Sequence, residues 1–211
     1  MLGGGACQKE ALDLALKHAP ILVAADGAAA VALKYARGPD FVIGDFDSLD
    51  RDTIAQIPSE RMFRIAEQDH TDFHKCLSRI KAPLVLAVGF TGGRIDHELA
   101  VYHGLVMNAH QPCIVIGDVD ICFVLRGEFA IDLPKGARFS LFPMGVSNVS
   151  ASGLEWSFEN LVMAPDQKIG TSNVARGGAV RVETSQSNLL CILPLKYLDQ
   201  AMSALISSAR A

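Results

Sequence analysis

The chain has one tryptophan, 7% aromatic residues and a formal charge of only −4 over 211 residues. A mild negative balance argues against a broad nucleic-acid or anionic-membrane surface and leaves room for a local positive pocket. Its five cysteines (Cys7, Cys76, Cys113, Cys122 and Cys191) are odd in number and scattered, with no C-x-x-C pair. That excludes a disulfide framework and points to buried free thiols in a reducing compartment. No apolar run approaches the ~20 residues of a transmembrane helix; the longest candidate, Pro20 to Ala25, fits a strand. Met1-Leu2 is followed at once by Gly3-Gly4-Gly5, without the apolar stretch of a signal peptide, so a cytoplasmic location is expected. Neither a Walker A pattern nor G-x-G-x-x-G occurs, and P-loop and dinucleotide-binding readings fall with them. There is no internal repeat and no low-complexity segment.

What remains is the composition of an ordinary globular protein, half hydrophobic and one fifth charged. The length suffices for one large domain or two small ones, and for burying roughly 70% of the unfolded surface. Up to about residue 126 the chain alternates short apolar runs with helical patterns. Strands are expected at Ile21 to Ala25, Phe41 to Ile43, Met62 to Ile65, Leu84 to Val88 and Cys113 to Ile116. Between them lie an alanine-rich helix ending near Tyr35 and a helix over Asp72 to Ile80. A further helix carries an Ile95, Leu99, Tyr102, Leu105, Val106 stripe. Strand, glycine turn and helix in repetition predict an α/β domain over 1–126, a Rossmann-like parallel sheet flanked by helices. From residue 127 the texture is short alternating runs broken by Pro, Gly, Ser and Asn. That predicts an all-β domain over 127–211, a sandwich or a barrel, closed by an amphipathic helix from Tyr197 to Ile206.

In an open parallel sheet, ligands bind beyond the carboxyl ends of the strands. The unusual residues gather at those ends. Asp26-Gly27 follows one strand and Gly44-Asp45-Phe46-Asp47-Ser48 the next. Two carboxylates at i and i+2 on extended backbone point the same way, and a hard divalent cation relieves their repulsion. A polar turn with Asp47 or Ser48 capping the next helix accounts for the same letters. Gln68-Asp69-His70-Thr71-Asp72 opens a helix whose Asp72, Lys75 and Arg79 fall opposite its apolar stripe. That is either a cation ligand with a phosphate-neutralising lysine, or a Thr71 cap with solvated charge pairs. Gly92-Gly93-Arg94-Ile95-Asp96-His97 joins backbone N–H groups, an arginine and a carboxylate at a helix start, a cradle for phosphate oxygens or a tight turn. Carboxylates and cations without a nucleophile–base pair suit metal-assisted phosphoryl transfer.

These motifs, in this order and spacing, resemble those of the thiamine pyrophosphokinase family. Gly170-Thr171-Ser172-Asn173 and Val180-Arg181-Val182-Glu183-Thr184 extend the resemblance to nearly the whole chain. It implies an ATP-dependent diphosphotransferase in which the thiamine hydroxyl attacks the β-phosphorus of ATP, giving thiamine diphosphate and AMP. It also implies Mg²⁺, an α/β nucleotide domain, a β-sandwich domain and a homodimer with interfacial active sites, without nucleic-acid or membrane partners. Carried over by position, Asp45, Asp47, Asp72 and Asp96 surround Mg²⁺ and the triphosphate. Asp26, Gly27, Ser48, Gln68, Thr71, Lys75, Gly92, Gly93 and Arg94 bind phosphates or the reacting hydroxyl. Ser172 and Asn173 line the thiamine site, and Trp156 either stacks on an aromatic ring or fills the sandwich core. The family pattern has a longer hydrophobic strand before the glycine-rich start, where only Met1-Leu2 precedes Gly3 here, and Ala28 replaces a common glycine. Two other readings stay open: another Mg-dependent nucleotide phosphotransferase, which ADP release would reveal, and a decayed binding module.

Overall fold

A computed structural model describes residues 1–5, 7–35 and 37–208. They divide into two compact units. One comprises Met1–Lys81, Val85–Gly104 and Val115–Asp118, the other Ala82–Leu84, Leu105–Ile114 and the chain from Val119 onward.

In the first unit the chain runs through α1 (Lys9–His18), β1 (Val23–Ala25), α2 (Ala28–Lys34), β2 (Phe41–Gly44), α3 (Arg51–Ala55), β3 (Met62–Arg64), α4 (Asp72–Leu77) and β4 (Val85–Val88). Strands β1, β2 and β3 pair in parallel in that order. Leu2 stands between β1 and β4, with parallel bridges to Ala24 and Val88. Its N–H donates to Val23 O and that of Gly3 to Val88 O, both at 2.8 Å. Two residues thus occupy the slot for which the family resemblance implies a longer strand. β1 and β4 are buried throughout, as apolar runs covered on both faces must be.

Several expectations shift here. β1 starts at Val23, because Asp40 accepts the Leu22 N–H at 2.7 Å and Ile21 lies exposed. α4 stops at Leu77, three residues short of Ile80. Helices α1 and α3 were not anticipated. α3 is opened by Asp50, whose carboxylate accepts the Thr53 N–H at 2.6 Å, so neither Asp47 nor Ser48 is a cap. The helix α5 (Ile95–Met107) forms, but Ile95 is 77% and Leu99 59% exposed. Leu105 of the expected stripe is buried, and Val101, outside it, is buried beside it.

After β5 (Cys113–Ile116) come β6 (Asp120–Leu133), β7 (Arg138–Pro143), β8 (Ser147–Ser152), β9 (Phe158–Met163), β10 (Gly170–Val174), β11 (Gly178–Pro194) and α6 (Leu198–Ser208). The two long strands pair antiparallel along their length, with an irregularity between Thr184 and Leu189 opposite Gly127, φ +56°. Beyond it β11 takes β7 as its other neighbour; before it, β8. One pair of strands thereby feeds both layers of the β-sandwich, its core built from side chains such as Phe123, Phe139 and Leu141. Leu198, Ala201 and Leu205 bury one face of α6. The five cysteines are free thiols, and four are buried. Burial pushes the thiols of Cys76 and Cys113 up to about 12, so they stay protonated. No helix among the described residues is long and apolar enough to cross a membrane.

Candidate active site

The carboxyl ends of β1 and β2 carry two residues in left-handed backbone, Asp26 at φ +45° and Phe46 at φ +69°. Such conformations are uncommon outside glycine and persist where surroundings over-determine them. Here the two hold each other: Asp26 Oδ1 accepts the Phe46 N–H at 2.8 Å, and the Asp26 N–H donates to Ile43 O at 2.9 Å. Gly44 makes the approach possible, since a Cβ there would lie 2.6 Å from Asp26 Oδ1. The turn brings Asp26, Asp45 and Asp47 together, each offering an oxygen within 4.8 Å of the others. Asp26 is buried, Asp45 intermediate and Asp47 exposed. Ser48 donates to Asp47 at 3.1 Å.

α4 supplies the counter-charge. Lys75 is 2% exposed, although its position opposite Phe73, Cys76 and Leu77 predicts a solvated face. Its Nζ donates to Asp45 Oδ2 at 2.8 Å and lies 3.8 Å from Asp72 Oδ1. Burial opposes the charge, but the hydrogen bond to Asp45 and the two carboxylates outweigh it and keep the Lys75 pKa above its usual value. The same bond draws Asp45 down to about 2. Asp72 moves the other way, raised first by burial and then by Asp26 nearby. Gln68 Nε2 donates to Asp45 Oδ2 at 3.2 Å, orienting it further. Thr71 is the N-cap of α4 in backbone only; its side chain makes no capping bond.

The glycine-rich motif is arranged differently from expectation. The Gly92 N–H is not free for a ligand: it donates to Glu98 Oε2 at 3.0 Å, a partner outside the glycine-rich motif itself. Arg94 and Asp96 form an exposed bidentate pair, with contacts of 3.1 and 2.6 Å. Arg94 holds the Asp96 carboxyl down to about 2. Among the described residues Asp96 lies outside the three-carboxylate group, whereas Asp26, assigned to phosphate, is inside it.

In the β unit, β10 carries a bulge: Gly170 pairs with Leu141 and Asn173 with Phe139, so Thr171 and Ser172 together oppose Ser140. Ser172 has φ +62°, and its N–H donates to the buried Ser140 hydroxyl at 3.0 Å. The Ser172 residue is exposed and Asn173 is buried. Trp156 is 64% exposed, so of its two readings it does not fill the sandwich core.

Clustered carboxylate oxygens are the donor set of a hard divalent cation, and the buried ammonium beside them offsets part of their mutual repulsion. Fold and site together place the chain among the phosphotransferases. Residues 12–117 match the family model described as thiamin pyrophosphokinase, catalytic domain, and residues 128–189 that of its vitamin B1 binding domain. The chain belongs to the thiamine pyrophosphokinase family. It is 29% identical over 196 residues to thiamine pyrophosphokinase 1 of Oryza sativa subsp. japonica, covering 84% of this chain and 73% of that protein. Identity to thiamine pyrophosphokinase 2 of the same plant is 31% over 180 residues, covering 76% and 67%. Among solved structures, thiamin pyrophosphokinase from Geobacillus thermodenitrificans superposes with a TM-score of 0.73 at 22% identity, over 92% of this chain and 95% of that one. The yeast enzyme gives 0.71 at 19% identity, over 98% and 87%.

Proposed function

We propose that this chain transfers the pyrophosphoryl group of ATP to the hydroxyl of thiamine, releasing AMP. The observation that carries the reading is the Asp26, Asp45, Asp47 group with Lys75 buried against it, in a chain of this family. The hydroxyl oxygen bonds to the β-phosphorus, the bond from that phosphorus to the oxygen bridging to the α-phosphate breaks, and AMP leaves with that oxygen. Asp26, Asp45 and Asp47 would hold Mg²⁺, with Asp72 beside them, because the set is all hard oxygen. Bound there, the ion would neutralise triphosphate charge and polarise the transferring group.

The chain's own residues divide the remaining work. Lys75 keeps Asp45 ionised and oriented, and Gln68 fixes the same oxygen. Asp72, whose pKa is raised, is the carboxylate suited to accept the alcohol proton. Thr71, Ser48 and the turn at Gly27 face the phosphates, as do Gly93 and Arg94 once a phosphate displaces Asp96 from the guanidinium. Residues 1–126 would serve as the nucleotide domain and 127–211 as the thiamine domain, with Ser172 and the exposed indole of Trp156 forming its binding surface and the buried Asn173 supporting it. A cytoplasmic homodimer completes the reading, supported by the free thiols and the family resemblance. Incubating the chain with ATP, MgCl₂ and thiamine should yield AMP and thiamine diphosphate in equal amounts. Release of ADP, or of AMP without thiamine, would refute it.

A further inference from the structure

Asn173 is expected to contact thiamine, yet its carbonyl oxygen and one of its two amide N–H groups are already committed to main-chain partners. The residue is 6% exposed. Its Oδ1 accepts the N–H of Trp156 at 3.2 Å and that of Val174 at 2.9 Å, which uses both lone pairs. Its Nδ2 donates to the Trp156 carbonyl at 2.9 Å. One side-chain amide therefore takes both main-chain groups of Trp156, as a neighbouring strand would. The adjacent bonds close the same corner. The Glu155 N–H donates to Val174 O at 2.8 Å, the Arg176 N–H to Gly153 O at 2.9 Å, and the Arg176 guanidinium to Glu155 O at 3.0 Å. The Ser157 hydroxyl donates to Leu154 O at 2.8 Å. All these partners lie on the segment 153–157 and on β10 with the residues that follow it. The indole itself is left free of this network and open to solvent.

We propose that Asn173 is a positioning residue, which fixes the Trp156 corner to the strand bearing Ser172 and acts on thiamine through the indole rather than by touching the substrate. This rests on the thiamine reading above. On the other side of the bulge Ser140 performs the matching task for Ser172, whose N–H it accepts. Exposed aromatic side chains bind flat rings well only when their own freedom has been removed beforehand. An indole on a pinned corner meets that condition.

Trp156 is the chain's single tryptophan, so its fluorescence reads the clamp directly, without any substrate. In Asn173→Ala the anisotropy of the free protein should fall. The thiamine KM should rise about tenfold, the weight of roughly one hydrogen bond, while kcat and the ATP KM stay within about twofold. Asn173→Ser keeps one short hydroxyl that can serve only part of the clamp and adds no charge, so it should fall between wild type and Asn173→Ala in both readouts; it also decides the matter should Asn173→Ala not fold. Asn173→Ala combined with Trp156→Ala should be no worse in thiamine KM than Trp156→Ala alone, because the two changes remove one route. Additive penalties, or a raised KM with unchanged anisotropy, would mean direct contact and overturn the proposal. A wild-type chain without thiamine turnover would instead defeat the reading underneath. The anisotropy change would persist there with no KM to accompany it, so the two failures are distinguishable.

Discussion

Replacing Lys75 by methionine removes a charge while keeping a long apolar stem in a position that is 2% exposed. Nζ stands 2.8 Å from Asp45 and 3.8 Å from Asp72. At an effective dielectric of about 20 those separations correspond to roughly 6 and 4 kcal/mol of attraction. Against them stands the several kcal/mol needed to strip water from an ammonium group. The variant also leaves Asp26, Asp45 and Asp47 repelling one another at close range without the cation that offsets them. A loss of about 3–5 kcal/mol follows, the range for breaking one side of a buried ion pair. Urea unfolding in chelator, followed by circular dichroism, should show that loss as a lower midpoint. Added MgCl₂ should recover part of it, and shift the variant more than the wild type. Thiamine-dependent AMP release should drop at least about 10³-fold in kcat/KM, since the group bears on charge in the transition state. An unchanged urea midpoint in chelator together with activity within about threefold of wild type would refute the role of the ammonium in both respects.

Asp72→Asn should lower kcat at least about 10²-fold with little change in fold stability, because the half-exposed carboxylate it removes is both drawn by Lys75 and repelled by Asp26 and Asp45. Carboxylate titration should separate the two acids. Asp45 sits at about 2, below its ordinary 3.8, so its stabilisation is complete above that ordinary value and disappears as pH falls toward 2. Asp72 has the opposite sign, its contribution present in acid and lost as pH rises through its raised value; Asp45→Asn should therefore flatten the acid limb of stability, measured by denaturation from about pH 2 to 5. Gly44→Ala places a Cβ 2.6 Å from Asp26 Oδ1 and should cost about 1–3 kcal/mol in thermal unfolding and raise the Mg²⁺ requirement. Ser172→Ala should raise the thiamine KM more than the ATP KM, and an equal rise in both would contradict a separate thiamine surface.

The strand ends were legible because their letters act locally. An apolar run closed by Asp-Gly or Gly-Asp marks both the end of a parallel strand and the place where polar side chains emerge. The convergence of Asp26, Asp45 and Asp47 needs one more fact, that β1 and β2 are neighbours, and sequential strands usually are. α1 had a readable helical pattern, but it buries only Leu12 and Ala15, a thin apolar stripe to notice. α3 carried a sharper signal that was missed, the Asp50-x-x-Thr53 cap. Ser140 left no trace, since one serine in a strand says nothing until a bulge on its neighbour presents an unpaired N–H.

Lys75 and Ile95 mark a deeper limit, and they fail in opposite directions. Helical periodicity assigns faces by counting apolar letters, which presumes that a charged residue seeks water. Lys75 is buried because carboxylates from another element supply what water would have supplied, and those carboxylates are too close together to share a site without it. The inward face of α4 is therefore set as much by Asp45 as by Phe73. Ile95 and Leu99 have the apolar letters without the cover. Gly92 donates to Glu98, and Tyr102 donates to the same carboxylate at 2.8 Å, so a polar residue inside the expected stripe, between Tyr102 and Leu105, is held within its own segment while burial falls on Val101 and Leu105. At α4, where the carboxylates assemble, pairing across the fold decides which way the helix faces, and counting apolar residues along it does not show that pairing.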